Sequence, residues 1–117
     1  TLHYGDGIEN AKNKQFRYAY GKKFGVQADV YAVQGYDAGL LLAGGLAAVK
    51  GDFGERKALI AALEKAKIDS PRGPWVMSKA HNPIQDIYLR RVDGNSNEVI
   101  GVAWKALEDP ARGCKMA

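Results

Sequence analysis

The sequence predicts an α/β chain in which three helices come first and short strands with a hairpin come last. Three observations carry this. Apolar residues recur at helical spacing over about 10–24, 30–49 and 53–67. Ser70-Pro71-Arg72-Gly73-Pro74 then interrupts any helical pattern. After it, short runs of strand formers alternate with turn formers.

The elements follow in order. Thr1 to Ile8 reads as extended and ends in a turn at Gly5-Asp6-Gly7. In the first helix Phe16, Tyr20 and Phe24 fall four apart on one face, Lys12, Lys14, Arg17, Lys22 and Lys23 mostly take the other, and Gly25 is placed to stop it. Asp29 can cap the second helix, whose stripe is Val30, Val33, Leu40, Leu41 and Ala48. Its glycines, Gly35, Gly39, Gly44 and Gly45, each cost about 0.5–1 kcal/mol relative to alanine, which predicts close approach of a neighbouring backbone. Asp52 with Glu55 resembles a capping box for the third helix, which buries Leu59, Ile60, Leu63 and Ala66. Strands are predicted at Trp75–Lys79, Ile87–Val92 and Val99–Trp104. His81-Asn82-Pro83 is a turn, Asp93 to Asn97 a hairpin loop, and the tail from Glu108 a polar surface segment.

The 117 residues suffice for one small domain. The net charge of +4 is spread among acids, with adjacent basic residues only in isolated pairs such as Lys22-Lys23 and Arg90-Arg91, so no nucleic-acid partner is expected. No apolar run nears the roughly 20 residues of a membrane span, so no direct membrane insertion is expected. No leader opens the chain, and any export signal is expected upstream or already removed. One cysteine, Cys114, excludes an internal disulfide and a cysteine-rich metal site.

Catalytic chemistry finds little support. His3 and His81 have no carboxylate or cysteine at metal spacing, so no metal and no cofactor is expected. Ser70 and Ser78 lack an elbow motif, and Gly35-Tyr36-Asp37-Ala38-Gly39 lacks the lysine and spacing of a phosphate loop. Asp6 with Glu9, and Asp52 with Glu55, read as helix-start acids. The chain is not expected to be an enzyme.

Taken in order, "NKQFRYAYGKKFG", "DVYAVQGYDAGLLLAGGLAA", "ALIAALEKAKIDSPRG", "WVMSKAHNPIQDIYLRRV" and "EVIGVAW" resemble the C-terminal third of the type I periplasmic solute-binding proteins of ABC transporters. The resemblance is to the branched-chain amino-acid (Leu/Ile/Val-binding) group, which includes members that take aromatic acids. It implies two α/β lobes joined by three crossings, with ligand held between them. Residues 1–7 would be one crossing and 8–85 part of the first lobe. Residues 86–117 would form the third crossing and the return to the second lobe. The partners implied are a small-molecule carboxylate ligand and the membrane permease of the importer, in a periplasmic or membrane-tethered extracytoplasmic setting. Three amphipathic helices with a late hairpin further imply association with the missing N-terminal part of the protein or with itself. Cys114 would be a buried small residue or half of a disulfide to an upstream partner.

The resemblance also turns the start of the second helix toward the interlobe cleft. A helix N-terminus, with free N–H groups and partial positive charge, suits a carboxylate. Tyr31, Gln34 and Tyr36 would supply hydroxyl, amide and ring contacts. The plain alternative is that both tyrosines are rim residues and Asp37 a solvent-facing or capping group. His81, Asn82 and Gln85 would lie at the hinge, with Gln85 and Asp86 bonding across it. Other readings are a ligand-sensing domain of the same fold in a receptor or regulator, a small α/β enzyme using His81, and a basic binding module.

Overall fold

The computed structural model describes residues 1–113 and 115, so the expectations for Cys114 lie outside the described residues. Helix α1 spans Ala11–Phe24, α2 Val30–Ala48 and α3 Arg56–Glu64. Strands β1 (Lys67–Ile68), β2 (Trp75–Met77), β3 (Pro83–Asp93) and β4 (Ser96–Leu107) form one antiparallel sheet in chain order.

Local chemistry sets the helix ends. The Asn10 side chain accepts a bond from the Asn13 amide at 2.6 Å and starts α1. Gly25, at φ 72°, ends it in the left-handed conformation that glycine adopts without penalty. Asp29 accepts from the Tyr31 and Ala32 amides at 3.0 and 2.8 Å and starts α2. Helix α3 is shorter than expected. The Asp52 carboxylate is taken by the Gly54 amide at 2.9 Å in a local turn, so no capping box forms and Glu55 makes no side-chain cap bond.

The core is small. Tyr4, Phe16, Ala28 and Val33 form one buried cluster, with Ile8, Tyr20, Val30 and Ala32 packed around it. The predicted face of α1 is real: its ring centroids lie 5.8 Å apart for Phe16–Tyr20 and 4.6 Å for Tyr20–Phe24. Only Phe16 of the three is buried. No residue of α3 is fully buried. The α2 glycines do not meet a neighbouring backbone. A Cβ at Gly35, Gly39 or Gly44 would touch nothing, while one at Gly45 would lie 2.5 Å from a Leu63 methyl. Gly45 therefore lets α3 seat its leucines on α2.

The two hairpin strands run longer than the sequence pattern indicates. Asp93 pairs with Ser96 and Val92 with Asn97, so the predicted five-residue loop is a tight turn at the tip of a long hairpin. The first predicted strand stops at Met77, because Ser78 begins the turn into β3. Three register shifts bend β3 against β4, and Ala106 takes φ 46° there.

The hairpin packs on the extended first segment and leaves the molecule open in shape. The radius of gyration is 15.7 Å, against roughly 13 Å for a compact domain of this length. The accessible surface is 8125 Å², against roughly 6,200 Å² for a self-contained monomer of this mass. Ile100, Val102 and Trp104 on β4 contribute exposed apolar area.

Candidate functional site

Helix α2 carries a single charged residue, Asp37. A lone carboxylate on an apolar helix must stay wet or find partners. Asp37 is 2% exposed, which overturns the reading of it as solvent-facing or capping. Its Oδ2 accepts three bonds: from Ser70 Oγ at 2.9 Å, Arg72 Nε at 2.7 Å and Trp75 Nε1 at 3.0 Å. The Arg72 side chain is 6% exposed. Its guanidinium lies 5.1 Å from the centroid of the Trp75 ring and also bonds Gln85 Oε1. Tyr88 donates to the Arg72 carbonyl at 2.6 Å. The segment from Ser70 to Trp75 is thus pinned to α2 on one side and to β3 on the other.

His3 lies in the same field. Burial holds its imidazole below the ordinary value, and Arg72 and Arg90 push the same way against Asp37. Burial likewise pulls the Arg72 guanidinium down, opposed by the Asp37 charge and hydrogen bond. His3 Nε2 and Asp37 Oδ1 are buried without a protein partner among the described residues.

Tyr31 and Gln34, three apart, project from neighbouring sides of the start of α2, and both are exposed. Tyr36 lies two positions past Gln34, on nearly the opposite side. It rests on Phe16, with ring centroids 4.8 Å apart. These three residues share a helix end but do not converge on one point. A cleft of about 570 Å³ opens at the other end of α2, lined by Leu40, Gly44, Ala48, Lys65 and Ile68.

The expected hinge residues separate in the same way. Gln85 joins the Arg72 network. His81, at φ 59°, lies in the turn between β2 and β3 and meets Glu64 at 2.9 Å. Asn82 donates to Asp109 at 2.6 Å. Asp86 accepts from the Ala106 amide at 2.8 Å.

A second network surrounds Asp6. Its Oδ2 accepts from Ser96 Oγ at 2.7 Å and the Asn97 amide at 3.3 Å, and its Oδ1 from Arg17 Nη1 at 3.1 Å. Partial burial would raise its carboxyl, but these bonds prevail and hold it below the ordinary value. Asp6 is therefore not a helix-start acid, and Arg17 is not on a wet face.

Sequence reasoning missed Ser70, Arg72, Trp75 and His3, in the extended first segment, as site neighbours. One signal was present: a single charge in an otherwise uncharged 19-residue helix. Among the described residues no group of histidine, cysteine and acidic side chains could hold a metal ion, and no helix is long and apolar enough to cross a membrane.

Helices and a long hairpin, joined through a buried ion pair and an extended first segment, make a mixed α/β unit. Comparison with known proteins makes the class specific. The family model described as periplasmic binding protein matches residues 1–97. A solute-binding protein of an ABC transporter from R. palustris, solved in complex with benzoate, is 46% identical over 97% of this chain with a TM-score of 0.93. A solute-binding protein from Rhodopseudomonas palustris BisB5, in complex with 3,4-dihydroxybenzoic acid, is 34% identical over 94% with a TM-score of 0.81. A leucine-binding protein from Thermotoga maritima, 21% identical over 86% with a TM-score of 0.72, shares the fold. The chain spans 32%, 31% and 29% of these three proteins. No curated protein matches it in sequence. The chain belongs to the periplasmic binding protein family, and its fold is a fragment of that of the type I solute-binding proteins of ABC transporters.

Proposed function

We propose that the chain is part of an extracytoplasmic receptor that captures a small carboxylate, an aromatic acid of the benzoate class, and delivers it to an ABC importer without catalysis. The observation that carries this is the 46% identity over nearly the whole chain to a structure in complex with benzoate. The leucine-binding relative is far more distant in sequence, which favours an aromatic acid over a branched-chain amino acid. The excess accessible surface and the exposed apolar residues of β4 support an assembly with the rest of a larger protein. On this reading residues 1–7 cross between lobes, 8–85 belong to the first lobe, and 86–117 cross again and return to the second. His81, Asn82 and Gln85 then sit where the lobes pivot. Capture is closure of the lobes on ligand, which stabilises the closed state by its differential affinity.

Tyr31, Gln34 and Tyr36 are the residues of this chain proposed to meet ligand. Titration calorimetry of the intact receptor is expected to show benzoate and hydroxybenzoates binding at least tenfold more tightly than leucine. A lost hydrogen bond to a charged group costs about 1.5–3 kcal/mol, or about ten- to a hundredfold in affinity. Tyr36→Phe and Gln34→Ala are expected to weaken benzoate binding to that extent where the lost group bonds ligand. Lys57→Ala, on the exposed side of α3, should leave it unchanged. Tighter binding of leucine overturns the ligand class. Unchanged affinity in Tyr36→Phe, Gln34→Ala and Tyr31→Ala overturns the site.

A further inference from the structure

We propose that Asp6 is a closure latch, a carboxylate that ties the first lobe to the tip of the β3–β4 hairpin and holds the receptor in its ligand-bound arrangement. The inference rests on the lobe assignment proposed above.

The extended first segment is laid against the hairpin. Leu2 and Tyr88 exchange both backbone hydrogen bonds, at 3.1 and 2.8 Å. Four residues on, the Asp6 amide donates to the Asn97 carbonyl at 3.3 Å. The fit between them admits no side chain. A Cβ at Gly5 would lie 2.7 Å from a Val99 methyl and 2.9 Å from Arg90 Cδ. The Asp6 carboxylate is held in place there and uses its two oxygens in two directions. One takes Ser96 Oγ and the Asn97 amide at the hairpin tip. The other takes Arg17 of α1, whose second terminal nitrogen is fixed by Gln27 Oε1 at 2.9 Å.

The hairpin tip and α1 are therefore bonded to one carboxylate, 90 residues from Ser96 and 11 from Arg17 in the chain. If α1 moves with the first lobe and the tip with the second, opening the lobes must break one side of this bridge. Which state the bridge favours follows from the fold comparison. Helices and hairpin together superpose on the benzoate complex with a TM-score of 0.93. The backbone arrangement that carries the bridge is thus shared with a benzoate-bound relative, and on this proposal the bridge adds to the closed state.

The test uses the intact receptor and three variants, Asp6→Asn, Ser96→Ala and Arg17→Met. Benzoate affinity is read by calorimetry, its dissociation rate by stopped-flow fluorescence, and the radius of gyration by small-angle scattering with and without benzoate. Each variant is expected to bind about three- to tenfold more weakly, chiefly through faster dissociation. The saturated radius of gyration should stay at the wild-type value. Arg17→Met should match Asp6→Asn, because either change cuts the bridge. Lower thermal stability with unchanged benzoate affinity and dissociation would overturn the latch and leave a purely structural tie. A wild type that ignores benzoate overturns the aromatic-acid reading, and the latch is then judged without ligand. In that case a larger radius of gyration in Asp6→Asn than in wild type supports it, and an unchanged one overturns it.

Discussion

Asp37→Ala is expected to destabilise the fold by about 3–5 kcal/mol, because it leaves the Arg72 guanidinium buried without its counter-ion. Three donors converge on one oxygen of Asp37, from Ser70, Arg72 and Trp75. The variant strips all three at once in a place that water does not reach. A second variant separates the charge from the shape. Asp37→Ala combined with Arg72→Met removes both ions and should recover a large part of the loss. Denaturant midpoints of the two variants beside wild type provide the check. A loss below about 1 kcal/mol for Asp37→Ala would show that Arg72 swings out to solvent and that the network is not what joins α2 to β3.

Phe16→Ala should cost a similar amount, about 3–5 kcal/mol, by opening a void in the small cluster of Tyr4, Ala28 and Val33. The effect should reach function. Phe16 is the surface on which Tyr36 rests, so its removal loosens the start of α2. Benzoate affinity is expected to fall together with stability. Tyr18→Ala makes the contrast on the same helix: its side chain is 72% exposed, and its removal should change stability by no more than about 0.5 kcal/mol. Equal denaturant midpoints for the two variants would mean that the cluster does not carry the fold.

Helices were readable because their determinants are local. Asn10, Gly25 and Asp29 act within three residues of the ends they define. Strand β1 was not readable, since two residues have no period, and Lys67-Ile68 become a strand only by pairing with Trp75 and Val76. Helix α3 began late because the Asp52 side chain had a nearer amide to serve. The same limit governs the candidate site. Asp37 was read as a solvent-facing or capping group, because its partners lie 33 to 38 residues away in the chain, where no spacing rule connects them. Asp6 was a turn residue by composition, and its bond to Ser96 becomes visible only when the hairpin folds back. Tyr31, Gln34 and Tyr36 were grouped by closeness in sequence, and the turn of the helix separates them.

The burial of Trp75 gives the chain an optical use. Its indole N–H is committed to Asp37 and a guanidinium lies over its ring, whereas Trp104 on the hairpin is 63% exposed. The chain thus carries its two tryptophans in opposite settings. One is shielded from collisional quenchers and sits beside the ion pair that couples helix to sheet. The other is open to iodide or acrylamide on the exposed side of the hairpin. Emission from the first follows the state of the buried pair, and quenching of the second follows what comes to cover the hairpin.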